Sequence, residues 1–338
     1  MSCKRIIWTA AVVSLSLASC ETLFPVRTSP TSTEVFDELW NAVDEEYACF
    51  SNRDVDWDAI YTKYRGRISD DTSESELLTV LVSMLGELND GHVGLMTETK
   101  NWSGHYLEDT AINHTFGLAS PYFGKDKKVS GGLQYNTLYD GRVGYIVCES
   151  FEDSISDKQV DEVLDYCKDC QGLILDLRNN RGGVSENVLT LLKYLSIEKE
   201  LYRICVRHNR IRNDLMEKGV MMKPLIPDGN KLWRKPLVVL VDNKSFSAAS
   251  IFAMCVKGCE NARVVGVKTA GGTSFPDWFE LSNGWYFRIP TVKIISRSGV
   301  DYEKGVVPDV EIHLDIDKVI KEYKDNIIDA ACEMIVSW

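Results

Sequence analysis

The sequence has no excess of basic residues, which excludes one broad class of partners. Its 38 Lys and Arg residues are outnumbered by 50 Asp and Glu residues, so the formal net charge is −12. Proteins that bind nucleic acids usually present a basic face. The charge balance therefore argues against a nucleic-acid partner, and it identifies no other partner.

Histidine is also scarce, which limits the choice of a general base. No internal repeat is present, and no low-complexity block lies beyond residues 21–33. For any single histidine, a structural role is the simplest interpretation, but one of them follows a predicted helix in a glycine-flanked turn and is the best placed for a cleft. That residue is His92; the complete set is His92, His105, His114, His208 and His313.

The N-terminal apolar run is too short to cross a bilayer. Two basic residues precede the run, which extends from Ile6 to about Leu17, and the letters LASC follow at Cys20. This layout is typical of a secretory signal, and LASC resembles the lipobox of bacterial lipoproteins. The sequence predicts a signal and lipobox over residues 1–20 with lipidation at Cys20. An ordinary signal peptide with an incidental Cys20 is the alternative.

Residues 21–33 are rich in Pro, Ser and Thr, a composition that predicts a tether. With the lipobox, this segment predicts a protein of the bacterial cell envelope that faces the periplasm or the exterior. The N-terminal lipid would be its one contact with the membrane.

Eight cysteines follow Cys20, and two of their spacings resemble metal or redox motifs. These are Cys167-x-x-Cys170 and Cys255-x-x-x-Cys259. Structural zinc needs four closed ligands, and nothing in the sequence pairs the two motifs. Cys167 and Cys255 continue apolar helical stripes, so the pattern predicts buried thiols and no metal. The sequence does not reveal any disulfide pairing.

Residues 34–88 have the apolar spacing of helices. Ser73 and Glu76 form the pattern of a capping box at the start of one helix. The helices end before the letters NDGHVGL, in which a turn carries His92. We therefore expect a small N-terminal helical subdomain over residues 34–100.

The remaining part of the chain, residues 101–338, alternates between strand and helix patterns. Strand–turn–helix units in series predict an α/β core. Further strands are expected within 279–313, and one closing helix is expected over 317–335. Its expected apolar face consists of Ile320, Tyr323, Ile327, Ile328 and Ala331. The other strand patterns lie within 141–151, 172–177, 236–242 and 262–267.

Two strand-to-helix turns of this core carry residues suited to catalysis. The first, DLRNNRGGV (176–184), has Gly182 and Gly183 where a helix begins. Glycine lets backbone N–H groups face a ligand, and a helix N-terminus adds partial positive charge, so such a turn can stabilise an oxyanion. The turn lacks the phosphate-loop and dinucleotide fingerprints, and a lone Gly-Gly pair would be an ordinary tight turn.

The second turn, NKSFSAASIFA (243–253), follows the strand pattern KPLVVLVD. It contains Ser245, Ser247 and Ser250. Serines at such a position either cap and pack the helix or supply a nucleophile, and a nucleophile needs a base. The turn alone leaves both interpretations open.

Four motifs in order resemble the tail-specific, or C-terminal processing, serine peptidases. They are DLRNNRGG, VDNKSFSAAS, GVKTAGG and EKGVVPD within about residues 140–315, and the letters DGHV at His92 extend the match. The family includes the tricorn protease core and the retinoid-binding-protein modules. The resemblance implies a crotonase/ClpP-like α/β core. Many members also carry a PDZ module, but about 48 residues separate His92 from GRVGYI, too few for that module, so we expect none.

The resemblance implies that Ser247 is the nucleophile, because it matches the first serine of the family motif S-A-x-E. Ser250 stands where many members carry an acidic residue. Processing peptidases use a lysine base in a T-F-G-K-G turn, whereas the turn here is TAGGT (269–273). Glycine occupies the position of the lysine in this turn, and Lys268, which precedes the turn, does not align with that position. This departure favours the tricorn-like branch, in which a histidine is the base and a glutamate orients it.

His92 matches that histidine. Glu303 is the best candidate for the glutamate, and Asp301 and Asp309 are its rivals. No metal or organic cofactor is implied by the resemblance.

The same resemblance assigns the oxyanion donors to the N–H of Gly182 or Gly183 and to the N–H of Ala248. The resulting hypothesis is a serine endopeptidase that hydrolyses peptides or unfolded proteins. The alternative is a non-catalytic module on the same fold that binds apolar ligands or peptides. A third interpretation is an envelope surface protein whose turns are purely structural. The oligomeric state stays open.

Overall fold

The computed structural model describes residues 4–5, 29–104, 112–114, 122, 127–209, 211–225 and 232–338. Cys20, His105 and most of the predicted signal and tether lie outside the described residues. The chain divides into two compact units. The first unit comprises Met1–Tyr106, Val206–Met216 and Phe275–Val292; the second comprises Leu107–Cys205, Glu217–Ser274 and Lys293–Trp338.

Three helices lie over the region in which periodicity predicts them, residues 34–88, and the first begins at Ser32. Ser73 and Glu76 form the predicted capping box, since each side chain bonds the other residue's backbone N–H. In chain order the helices are α1 Ser32–Glu46, α2 Trp57–Arg65, α3 Glu74–Gly86, α4 Asp157–Tyr166, α5 Ser185–Leu195, α6 Ala248–Val256, α7 Ile316–Glu322 and α8 Asn326–Val336. A short 3-10 helix spans Phe50–Asn52. None of the described helices is long and apolar enough to cross a membrane.

The strands include several short segments that the sequence patterns do not predict. In chain order they are β1 Lys4–Arg5, β2 Gly94–Met96, β3 Asn101–Ser103, β4 Lys128–Ser130, β5 Leu133–Leu138, β6 Val143–Val147, β7 Gly172–Asp176, β8 Glu200–Arg207, β9 Leu215–Met222, β10 Leu237–Val241, β11 Ala262–Gly266, β12 Phe275–Glu280, β13 Tyr286–Ser296 and β14 Val310–Glu311.

The first unit buries the apolar faces of α1, α2 and α3 in one cluster with residues of β2, β12 and β13. Its strands follow the order β1-β12-β13-β2-β3, and β13 pairs antiparallel with both β12 and β2. The predicted helical subdomain is therefore completed by strands that arrive from a distant part of the sequence. β8 pairs with β13 and with β9.

The second unit contains the predicted α/β core. Its sheet has the order β14-β11-β10-β7-β6-β5-β4, and the strands from β14 to β6 are parallel. Every residue of β6, β7 and β10 is buried, as expected for parallel strands covered on both faces. Because β7 and β10 pair in parallel, the turns that follow them leave the same edge of the sheet.

The expected single closing helix is wrong. The predicted helix is interrupted after α7 because Tyr323 adopts a left-handed backbone conformation, with φ of 56°. Asp325 then caps α8 by accepting the N–H groups of Ile327 and Ile328. As a result Ile320 and Tyr323 are exposed, whereas Ile327, Ile328 and Ala331 are buried as predicted.

Candidate active site

Ser247 lies at the turn between β10 and α6 in a strained backbone conformation. Its φ is 53° and its ψ is −117°, values that a residue with a Cβ rarely adopts. The Ser247 N–H donates to Gly271 O at 2.8 Å, and the Ile251 N–H donates to Ser247 O at 2.9 Å. These bonds hold the turn in place. Strained residues of this kind cluster at sites where a side chain must be presented in a fixed orientation.

Asp242 organises the base of this turn. Its buried carboxylate accepts three backbone N–H groups at Oδ1: Asn179 at 2.9 Å, Lys244 at 3.0 Å and Ser245 at 2.9 Å. His114 Nδ1 lies 3.1 Å from the second oxygen, Oδ2. Burial alone would raise the pKa of Asp242, but the hydrogen bonds from His114 and from the backbone lower it. One carboxylate thus ties the Ser247 turn to the turn after β7.

The glycine turn after β7 approaches Ser247 closely. Gly182 and Gly183 have φ values of 101° and 136°, which favour glycine. A Cβ on Gly182 would lie 2.8 Å from Ser247 Cβ, and one on Gly183 would lie 2.3 Å from the Phe151 carbonyl carbon. Both glycines are therefore required by space and by backbone conformation.

The backbone N–H groups near Ser247 differ in their partners. The Gly182 N–H donates to Asn180 Oδ1 at 2.8 Å. Asn180 is itself fixed, because its Nδ2 donates to Cys148 O. The N–H groups of Gly183 and Ala248 donate to no residue that the structure describes. These two N–H groups can therefore receive an oxyanion without breaking a described bond.

Glu303 is buried in the second unit, with 2% of its surface exposed. Its Oε2 accepts the Ser274 hydroxyl at 2.7 Å and the Ser274 N–H at 3.0 Å. The two rival acids have other partners: Asp301 pairs with Lys293 at 2.7 Å, and Asp309 binds Lys257 at 2.6 Å and the Val264 N–H at 2.8 Å.

His92 is buried in the first unit, where its backbone is held on both sides. The His92 N–H donates to Asp90 Oδ1 at 2.9 Å, and Arg288 Nε donates to His92 O at 2.8 Å. Asp90 Oδ2 accepts the Tyr47 hydroxyl at 2.6 Å and pairs with Arg53 at 2.7 Å. The turn that carries His92 is therefore fixed by a buried network.

Burial is the largest cause that lowers the pKa of His92 to about 4; Asp90 opposes this shift, and the positive charges of Arg288 and Arg53 add to it. The imidazole is consequently neutral at physiological pH, the form that can accept a proton.

Several residues with clear roles in this region escape sequence reasoning. They are Asp242, Asn180, Ser274 and His114, and each has a hydrogen-bond partner far away along the chain. One sequence feature could have identified Asp242 as a candidate: it directly follows the apolar run of a buried strand. Two other described histidines lie near the surface: His208 pairs with Asp214 and His313 with Glu311.

The cysteines do not form a metal centre in the part of the chain that the structure describes, where no cluster of metal-ligating side chains occurs. Cys167 and Cys255 are buried, as predicted from their helical stripes. The described cysteines that follow Cys49 are free thiols.

Comparison with known families matches two regions of the chain. The model of peptidase family S41 matches residues 142–312, and the model of the tricorn protease C1 domain matches residues 31–86. The first match extends from β6 to β14 and includes both turns, and the second covers α1, α2 and α3. These matches agree with the resemblance seen in the four motifs.

Individual relatives support the same family. The nisin-resistance protein of Lactococcus lactis subsp. lactis is 22% identical over 272 residues, which are 71% of this chain and 85% of that protein. The carboxy-terminal processing protease CtpA of Bacillus subtilis is 27% identical over 183 residues, 53% of this chain but only 37% of CtpA. A solved structure of a candidate peptidase of Parabacteroides merdae is 28% identical with a TM-score of 0.81, and the alignment covers 90% of this chain and 96% of that one. The chain therefore belongs to peptidase family S41 and is a serine-type peptidase related to the C-terminal processing proteases.

Proposed function

We propose that the protein is an endopeptidase that cleaves peptides or unfolded proteins in the bacterial cell envelope through Ser247, His92 and Glu303. The observation that carries the proposal is the strained backbone of Ser247, at the start of α6 and against the glycine turn. A serine that only caps a helix adopts ordinary extended φ and ψ values. The described structure gives no capping bond from the Ser247 side chain to α6.

His92 is the proposed general base. Its low pKa keeps the imidazole neutral, so it can take the Ser247 proton as the hydroxyl oxygen attacks the peptide carbonyl. The same proton then passes to the leaving amine. Water attacks the resulting acyl-enzyme in the second half of the reaction, with His92 again as base.

Glu303 is the proposed acid that orients the imidazole, directly or through a hydroxyl relay. Its contact with the Ser274 hydroxyl at 2.7 Å makes Ser274 the natural candidate for that relay. The partners of Asp301 and Asp309 support Glu303 over either rival. An anionic Glu303 would stabilise the imidazolium that forms in the transition state.

The proposed oxyanion donors are the N–H groups of Gly183 and Ala248. The bond from Gly182 to Asn180 favours Gly183 over Gly182, because Gly182 would have to give up an existing partner. One preorganised donor of this kind contributes roughly 10²–10³ in rate.

The envelope location rests on the N-terminal segment of the sequence. A basic start, an apolar run and the letters LASC predict export and lipidation at Cys20. The lipid would hold the protein on a membrane, and residues 21–33 would act as the tether.

The proposal is tested with a fluorophosphonate probe, which reacts with activated serines. Wild-type protein should become labelled at Ser247, and Ser247→Ala should not. Ser196→Ala removes another buried serine of the second unit and should label like the wild type. Equal labelling of wild type and Ser247→Ala, or no labelling of either, would overturn the proposal; ligand binding without hydrolysis would then favour a binding module.

A further inference from the structure

Two buried hydroxyls, those of Ser250 and Thr269, lie beneath the Ser247 turn. Ser250 is fully buried and Thr269 is 3% exposed. Ser250 Oγ lies 3.0 Å from Ser245 O and 2.9 Å from Thr269 Oγ1. A carbonyl oxygen only accepts. Ser250 is the donor in both contacts, so its one proton is shared between Ser245 O and Thr269 Oγ1.

Thr269 extends this chain of hydrogen bonds to a second segment. Its Oγ1 accepts the Val306 N–H at 2.9 Å, and its own N–H donates to Val306 O at 3.1 Å. Val306 lies three residues after Glu303. The hydroxyl of Thr269 also accepts the Gly271 N–H at 3.4 Å.

The segments joined in this way are those that hold the candidate catalytic groups of the second unit. Gly271 O accepts the Ser247 N–H at 2.8 Å, and Glu303 O accepts the Gly272 N–H at 3.0 Å. Strain at a residue such as Ser247 persists only when its surroundings fix it from several sides. The two hydroxyls supply bonds on the buried side of the turn.

We propose that Ser250 and Thr269 are positioning residues that fix the Ser247 turn relative to the segment of Glu303. This inference rests on the proposed function, because it assigns Ser247 and Glu303 to the same reaction. Neither hydroxyl touches the reacting atoms, so their effect is on the rate of attack by Ser247 and not on substrate binding.

Position 250, which matches an acid in many similar peptidases, carries a neutral hydroxyl here, and its surroundings suit that hydroxyl. The neighbouring Ser245 carbonyl oxygen at 3.0 Å would repel a carboxylate. A buried charge facing an acceptor is costly. A hydroxyl satisfies the same carbonyl without charge.

Thr269→Val and Ser250→Ala remove one hydroxyl each, and Thr269→Ser keeps it. Thr291→Val and Ser196→Ala are matched controls, because both remove buried hydroxyls elsewhere in the chain. Each protein is first titrated with the fluorophosphonate probe to count active sites. The kcat and KM for a fluorogenic peptide and the rate constant of probe labelling are then measured per active site, so that misfolded protein does not contribute.

We expect Thr269→Val and Ser250→Ala to lower kcat and the labelling rate about 3- to 10-fold, the equivalent of one lost hydrogen bond. KM should stay within about twofold of wild type. Thr269→Ser should recover most of the loss, and the two controls should match the wild type.

Three results would overturn the inference, and they are distinguishable. If wild-type protein is labelled at Ser247 but Thr269→Val and Ser250→Ala have the wild-type kcat and labelling rate per active site, this inference fails and the proposed function stands. The same holds if Thr269→Ser is as slow as Thr269→Val. If wild-type protein does not label, the proposed function fails and takes this inference with it.

Discussion

A Cβ atom on Gly182 would lie 2.8 Å from the Cβ of Ser247, so the backbone of the glycine turn packs directly against the candidate nucleophile and leaves no room for a side chain. Gly182→Ala should therefore displace Ser247, and its φ of 101° adds strain to any alanine placed there. We expect kcat to fall by about 10²-fold, as misplacement by an ångström can do.

The matched control is Gly219→Ala, because a Cβ on Gly219 meets nothing within 4 Å. Gly219→Ala should keep the wild-type kcat for a fluorogenic peptide. Wild-type activity in Gly182→Ala would show that the two turns can separate without consequence for the reaction.

The pH dependence should follow the neutral form of His92. Its pKa of about 4 predicts that kcat/KM is constant above about pH 6 and falls with a midpoint near pH 4. Measurement of kcat/KM from pH 3.5 to 8 checks this expectation. A midpoint near 6.5, the ordinary histidine value, would contradict the burial argument.

The same shift has a consequence for stability. Between about pH 6.5 and 4 the unfolded chain binds the His92 proton and the folded chain does not, so the free energy of unfolding falls as the pH falls through this window. His92→Gln removes this contribution. Urea unfolding at pH 7 and pH 4.5 should therefore show a smaller loss of stability for His92→Gln than for wild type.

Asp242 should matter first for folding, since its carboxylate accepts one buried and two partly buried backbone N–H groups. Asp242→Ala leaves the Asn179 and Lys244 N–H groups without this acceptor, at about 1–3 kcal/mol each, whereas the Ser245 N–H keeps its bond to Asp242 O, so this variant should be less stable than Asp242→Asn. Asp242→Asn retains one carbonyl oxygen and should cost about 1–3 kcal/mol in urea unfolding. Asp54→Asn changes an exposed carboxylate and serves as the control.

The lowered pKa of Asp242 gives this prediction a pH dependence. A carboxylate with a lowered folded pKa stabilises the protein above the unfolded value of about 3.9, and the contribution is lost as the pH falls through the folded pKa. The difference in the free energy of unfolding between wild type and Asp242→Asn should thus be largest near neutral pH and become smaller in acid. If that difference did not change with pH, the destabilisation by Asp242→Asn would be due to packing alone.

The α/β core and its two turns were predictable because burial patterns and glycine positions are local features of the sequence. Buried strands such as β7 and β10 appear as unbroken apolar runs, and Gly182 follows one of them. The bonds of Asp242 to Asn179 and of Glu303 to Ser274 were not predictable, since they join residues that are far apart in sequence. The break at Tyr323 was missed because an apolar period alone does not reveal a left-handed residue.

Lipidation should depend on Cys20 alone. In a bacterial host fed an alkyne-bearing fatty acid, wild-type protein should carry the label and sediment with membranes, whereas Cys20→Ala should do neither. Cys49→Ala, which removes a buried thiol of the first unit, is the control. Labelled Cys20→Ala would refute the lipobox assignment.

The hydrogen bond between Glu303 and Ser274 separates direct orientation of His92 from a relay. Glu303→Gln removes the charge that would stabilise the imidazolium, so kcat should fall by about 10²- to 10⁴-fold in either case. Ser274→Ala keeps Glu303 charged but removes the hydroxyl that it binds at 2.7 Å. A relay predicts a large loss of kcat in Ser274→Ala, and direct contact predicts a small one.

Glu311→Gln is the control for both variants, because it changes an exposed carboxylate paired with His313. Kinetics per active site, after titration with the fluorophosphonate probe, remove any contribution from unfolded protein. Wild-type kcat in Glu303→Gln would eliminate Glu303 from the reaction and return attention to Asp301 and Asp309. Because Glu303 is buried and fixed to Ser274 by two bonds, a loss in both variants with unchanged KM would place the hydroxyl between the acid and the base.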